Sequence, residues 1–290
     1  MSVDIDQLAA IDVHVHAERN EDEPQDPVTA EVLEAAARYF GGSPPQPTAR
    51  EVADYYRQRK ILAVIFTVDD EAGMGRPRLG NDEVLAAARE SPDVLIPFGS
   101  VDPHKGKLGV REVRQLIEAG VRGFKFHPNT QAFWPNDREW YPLYEVIAEA
   151  GLIALFHSGT TGIGAGMPGG AGVRLKYSNP MCVDDVAADF PELKIILAHP
   201  SFPWQDEALA VAMHKPNVYI DLSGWSPKYF PENLIRYTNT QLRHKMLFGS
   251  DYPLITPDRW LADFEQLPIK AEVRPLVLKE NAAALLGLRE

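Results

Sequence analysis

Along this chain, short apolar runs alternate with longer stretches in which apolar residues recur every three or four positions. The runs read as strands, at residues 11–18, 61–68, 94–101, 123–127, 152–157, 193–199, 218–222 and 245–251. The longer stretches read as helices near residues 28–40, 48–60, 81–90, 108–119, 141–150, 183–189, 206–214, 257–267 and 273–286. Thr48 and Glu51 have the spacing of a capping box, and Gly41–Gly42, Gly120 and Gly151 stand where helices stop. Strands covered on both faces lose the alternation of apolar and polar positions, as these do. Eight strand-then-helix units therefore predict an α/β fold, a (β/α)8 TIM barrel filling residues 1–290 as one domain, with 18–47 inserted after the first strand. An open doubly wound sheet is the rival, but no G-x-G-x-x-G or Walker motif follows any strand.

Composition narrows the class. The chain has 290 residues, 45% of them hydrophobic, enough for a large core. Its formal charge of -12 and lack of any basic run disfavour nucleic acid and anionic membranes as partners. Cys182 is the single cysteine, which excludes an internal disulfide and a cysteine metal cage. The first residues are acidic, and the longest apolar runs are strand-sized, so a cytoplasmic protein is expected.

The polar residues gather at the carboxyl ends of the strands: His14 and His16 on the first, Lys125 and His127 on the fourth, His157 on the fifth, His199 on the sixth, Asp221 on the seventh and Asp251 on the eighth. In a barrel these ends meet at one mouth, where the active site lies. Alternate side chains of an extended strand share a face, so His14 and His16 point the same way, with Asp12 below them. Two such imidazoles can grip one cation, and they also suit a hydrogen-bonded pair in the core.

Taken in this order, His14-Val-His16, His157, His199 in Leu-Ala-His-Pro and Asp251 in Phe-Gly-Ser-Asp-Tyr-Pro resemble the amidohydrolase superfamily. The closer resemblance is to its amidohydrolase-related branch, which includes aminocarboxymuconate-semialdehyde decarboxylase, γ-resorcylate decarboxylase and lactone or C–C hydrolases. The resemblance implies one divalent ion, Zn2+ or Mn2+, held by His14, His16, His157 and Asp251, with Asp251 and His199 as catalytic acid/base groups. A divalent ion lowers the pKa of its water to about 7, so a nucleophile is available at neutral pH. In binuclear relatives a strand-four Lys is carbamylated. Here Lys125 lies one pleat below His127, about 6.8 Å along the strand, and is expected to be buried below or paired with an acid; a carbamate on Lys125 bridging a second ion is the alternative.

Around the mouth, His127, Arg174, Lys176 and Trp225 are candidate substrate-binding residues. Arg or Lys after the Gly-rich segment 159–172 can pair with a carboxylate, and Trp134, Trp204 and Trp225 follow strands four, six and seven. Asp221 reads as a structural strand-end acid. The function expected is a metal-dependent hydrolase of a small carboxylated, aromatic-derived compound. The alternatives are a metal-dependent decarboxylase, a C–C hydrolase of a β-keto acyl compound, and a metal-free barrel that only binds. Resemblance also implies a homo-oligomer, dimer or tetramer.

Overall fold

The computed structural model describes residues 4–21, 26–40, 42, 45–75, 77 and 79–289. Eight parallel strands follow in sequence order: β1 (Ala10–His16), β2 (Ile61–Phe66), β3 (Leu95–Pro97), β4 (Gly123–Phe126), β5 (Ile153–His157), β6 (Lys194–Ala198), β7 (Val218–Asp221) and β8 (Met246–Leu247). Ladders run from β1 to β3 and from β4 to β8. Two seams close them into a barrel. Gly99 N donates to Gly123 O at 2.9 Å and Lys125 N to Gly99 O at 2.8 Å, joining β3 to β4. Val13 N donates to Phe248 O at 3.0 Å and Asp251 N to His14 O at 3.0 Å, joining β8 to β1. Gly99 has no side chain for a packing reason: a Cβ there would stand 3.1 Å from the Phe124 ring.

The expected helices form with small shifts at their ends. Thr48 and Glu51 make the full capping box at the start of the Ala49–Arg57 helix. The helix expected from 28 is seen as Pro27–Phe40, whereas Gly41 of its expected stop lies outside the described residues. Among the described residues, three α-helices fall outside the expected set, Glu71–Met74, Pro128–Gln131 and Glu232–Thr238; the first two are single turns, and the third opens on Pro231. Among the described residues, no helix is long and apolar enough to cross a membrane.

Two apolar layers hold the barrel. Ile11, Val13, Leu62, Val64, Ile96, Ile153, Leu155, Ile196 and Leu247 fill its interior, with Ala282 and Leu285 from the last helix packed against them. Ala10, Val15, Ile65, Phe124, Phe126, Phe156, Leu197 and Ile220 pack against the surrounding helices. The strict alternation breaks at one point that matters. The register of β1 against β2 shifts between Asp12 and Val15. Ile11 and Val13 point inward and Asp12 outward by ordinary alternation, and the bulge that follows lets His14 turn inward as well. The expectation that Asp12 lies below the two histidines on one face is therefore corrected.

Asp12 pins the seam between β1 and β8. Its Oδ1 accepts from His14 N at 3.1 Å and Ser250 N at 3.0 Å, and its Oδ2 from Tyr56 Oη at 2.8 Å and Ser250 Oγ at 2.6 Å. Burial pushes its carboxyl up to about 7, against the pull of these donors. A carboxyl raised from 3.8 binds more protons folded than unfolded, so it withdraws stability as pH rises between about 4 and about 7. Asp12→Asn, which does not titrate, should gain stability relative to the parent across that window, read by urea denaturation at each pH. A constant difference would show that Asp12 does not titrate there.

Candidate metal centre

The strand ends bring His14, His16 and Asp251 together at the barrel mouth. Asp251 Oδ1 lies 3.3 Å from His14 Nε2 and 3.2 Å from His16 Nε2. Bonds of about 2.0–2.1 Å at tetrahedral angles place neighbouring donors about 3.3 Å apart, so this triangle has the size of one face of a metal's coordination shell. The three form a His/Asp group able to hold a metal ion. Backbone strain accompanies the function. Asp251 takes φ +68° and His199 φ +72°, conformations that cost side-chain-bearing residues of order 1–3 kcal/mol.

The tautomer of His14 follows from its partners. Its Nδ1 donates to Asp221 Oδ2 at 2.9 Å, and both groups are buried. Burial and the nearby Lys125 cation lower His14 to about 3, so its imidazole is neutral. Burial alone would raise Asp221, but His14, His199 and the Ser223 hydroxyl hold it well below the usual carboxylate range. A neutral imidazole protonated at Nδ1 presents the Nε2 lone pair to the ligand triangle. Asp221 is thus the orienting partner of His14, more than the strand-end structural acid expected. Burial likewise opposes ionisation of Asp251, yet its carboxyl is held below the usual range, with a hydrogen bond from His16 Nε2 at 3.2 Å among the causes. A lone pair and a carboxylate oxygen that face each other call for a cation between them.

Lys125 is buried, as expected, but its side chain reaches further than its place on the strand suggests. It sits level with Leu155 in the β4–β5 register, one pleat below His157. Its four-carbon stem spans that pleat, however, and its Nζ reaches 3.1 Å from His14 Nε2. Burial lowers its ammonium to about 8. An ion in the triangle takes the lone pair that Lys125 uses, so the amine must withdraw from it or give up its proton.

His157 does not join the triangle. Its Nε2 lies 3.2 Å from Thr160 O, which can only accept, so this nitrogen carries the proton. Its Nδ1 then accepts from His199 Nε2 at 2.9 Å, leaving His199 Nδ1 to face Ser223 Oγ at 2.9 Å. Burial lowers both histidines, so both are neutral. The Ser223 hydroxyl also meets Asp221 Oδ1, and Asp221 Oδ1 accepts from His199 N at 3.2 Å. Close polar contacts therefore link Thr160, His157, His199, Ser223, Asp221 and His14, with the one Ser223 proton serving either Asp221 Oδ1 or His199 Nδ1. Ser223 and Gly224 were missed in the sequence, because neither residue type signals chemistry by itself.

His127 caps the short Pro128–Gln131 helix just beyond β4 and stacks on the His157 ring, centroids 3.9 Å apart at 10°. The register that pairs Phe126 with Phe156 puts those rings side by side. Trp225 is half-buried against Phe202, 5.6 Å away. Arg174 and Lys176 are exposed on the rim, and Lys176 Nζ lies over Trp134 at 5.3 Å, not at the triangle.

Gly224 takes φ +70°, and a Cβ there would stand 2.4 Å from His199 Nδ1. Gly224→Ala should displace the His199 ring and destabilise the fold by about 2–3 kcal/mol. Urea denaturation and the imidazole NMR signals of His199 check this, and unchanged signals would contradict the packing described.

The chain belongs to the amidohydrolase family: the family model described as Amidohydrolase matches residues 11–288. Among curated proteins, none matches the chain. The fold is shared with an uncharacterised TIM-barrel protein from Bordetella bronchiseptica, with 24% identity, TM-score 0.78 and coverage of 96% of this chain and 98% of that one. A 5-carboxyvanillate decarboxylase from Novosphingobium aromaticivorans, complexed with manganese and 4-hydroxy-3-methoxy-5-nitrobenzoic acid, aligns with 15% identity and TM-score 0.66, covering 98% and 97%. A probable 2-pyrone-4,6-dicarboxylic acid hydrolase from Acinetobacter baumannii, with citric acid bound, aligns with 16% identity and TM-score 0.61, covering 97% and 100%.

Proposed function

We propose that this protein is a metal-dependent hydrolase of a small carboxylated, aromatic-derived compound, with one divalent ion, Zn2+ or Mn2+, held by His14, His16 and Asp251. The observation that carries the reading is the triangle of donors 3.2 and 3.3 Å apart, with His14 turned by Asp221 so that its lone pair faces inward. The chemistry of the structural neighbours supports it: one is a decarboxylase with manganese and a nitrobenzoic acid, another a probable hydrolase of a dicarboxylic acid. When bound, the ion would acidify a water and polarise the substrate's carbonyl.

The remaining work falls to the chain's own residues. Asp251, held far below the usual carboxylate range, serves chiefly as the anion of the ligand set and is a weak base. His199, neutral between Ser223 and His157, takes up the proton released during attack and returns it to the leaving group. His157 receives the His199 N–H and is the reserve fourth donor, available if its ring turns from Thr160. Phe66 packs edge-on against His14 and His16, centroids 5.1 and 4.9 Å away, and excludes water behind them. His127, stacked on the His157 ring, is the residue we assign to the substrate side of the mouth.

The test is the fate of water oxygen. Manganese- or zinc-loaded protein, assayed in H2(18)O against a panel of aromatic-derived lactones, esters and carboxylated phenols, should yield products carrying one heavy oxygen. Release of CO2 without heavy-oxygen incorporation would replace the hydrolase reading by a decarboxylase.

A further inference from the structure

The rim loops gather a second set of groups that the mouth does not use. Between the segments that follow β4, β5 and β6 lies a cleft of about 430 Å3 open to solvent, and no member of the His/Asp group lines it. Its apolar walls are the indoles of Trp134 and Trp204 with the sulfur side chains of Met181 and Cys182. Its charged groups are Lys176 and Asp185. Burial pushes the Cys182 thiol up to about 11, so it contributes as an uncharged surface. The volume falls within the range of small-molecule sites.

Charge and ring placement decide what fits. Lys176 Nζ lies 5.3 Å from the Trp134 ring centroid and 5.4 Å from that of Tyr177. Among the described residues no carboxylate stands within ion-pair distance of it. Asp185, by contrast, accepts from Asn136 Nδ2 at 2.7 Å. An ammonium already lies over Trp134, so a cationic ligand would be repelled from a cage of these indoles. An anion is drawn to Lys176 and away from Asp185. Exposed Trp134 rewards an aromatic ring over a saturated one, because edge and face contacts between rings add to the area they bury.

We propose that this cleft is a second binding site, apart from the His/Asp group, for a flat aromatic carboxylate whose ring packs on Trp134 and Trp204 and whose carboxylate pairs with Lys176. It goes beyond the hydrolase reading and does not depend on it.

The experiment is calorimetric titration of naphthoate into the full chain kept in chelator, so that no metal contributes. Saturable binding at one site is expected. Trp134→Ala and Lys176→Met should each weaken it about tenfold, and cyclohexanecarboxylate should bind about tenfold more weakly than naphthoate. Asp185→Asn, which removes the like charge, should tighten it. Asp251→Ala should leave it unchanged. Absence of saturable binding, or binding indifferent to Trp134 and Lys176, would overturn the proposal. Loss of binding in Asp251→Ala would also overturn it, by placing the probe in the mouth.

Discussion

Asp251→Ala should abolish the response to metal and lower kcat/KM by about a thousandfold or more on the best substrate of the panel. The carboxylate is the one anion in the donor triangle, 3.3 Å from His14 Nε2 and 3.2 Å from His16 Nε2. Two imidazoles, which bring no negative charge, cannot without it balance a divalent ion in a buried site. A ligand that binds only the native state stabilises it by about 2.7 kcal/mol at a hundred times its Kd. Adding Mn2+ or Zn2+ to the parent should therefore raise its unfolding midpoint, and adding it to Asp251→Ala should not. An equal shift in both would mean that the ion binds elsewhere.

Asp221→Asn should weaken metal binding by about 10- to 100-fold, although Asp221 is no member of the triangle. Its Oδ1 accepts from His199 N and Ser223 N, and its Oδ2 accepts from His14 Nδ1. An Asn that keeps its oxygen on the two backbone N–H groups must aim its NH2 at His14 Nδ1. His14 is then forced to carry its proton on Nε2, and that proton points into the triangle. If the amide flips, two backbone donors lose their acceptor instead. Metal titration gives the affinity, and nitrogen NMR of His14 reports which tautomer is present. Unaltered affinity together with an unaltered tautomer would show that Asp221 does not orient His14.

The barrel was legible because its signal is periodic. Runs such as Ile61–Phe66, apolar at every position, announce strands buried on both faces, and Thr48 with Glu51 marks a helix start by local chemistry alone. Convergence of His14, His16, His199 and Asp251 at one mouth then follows from topology. What escaped was set by geometry that no local pattern carries. The bulge in β1 after Asp12 turns His14 to the face opposite Asp12, and a fixed two-residue period cannot show it. The Cα of Lys125 lies a pleat below the mouth, while its side chain bridges that pleat to His14. Chain position alone points Lys176 to the mouth, but its ammonium rests over Trp134. The role of Ser223 depends on β7 lying beside His199, a contact between residues far apart in sequence.

The most direct check is elemental analysis of the purified protein before and after chelation, paired with activity. One zinc or manganese ion per chain is expected, with its removal silencing the enzyme and its return restoring the rate. A chain that holds no stoichiometric divalent ion and works equally well in chelator would contradict the metal centre at His14, His16 and Asp251.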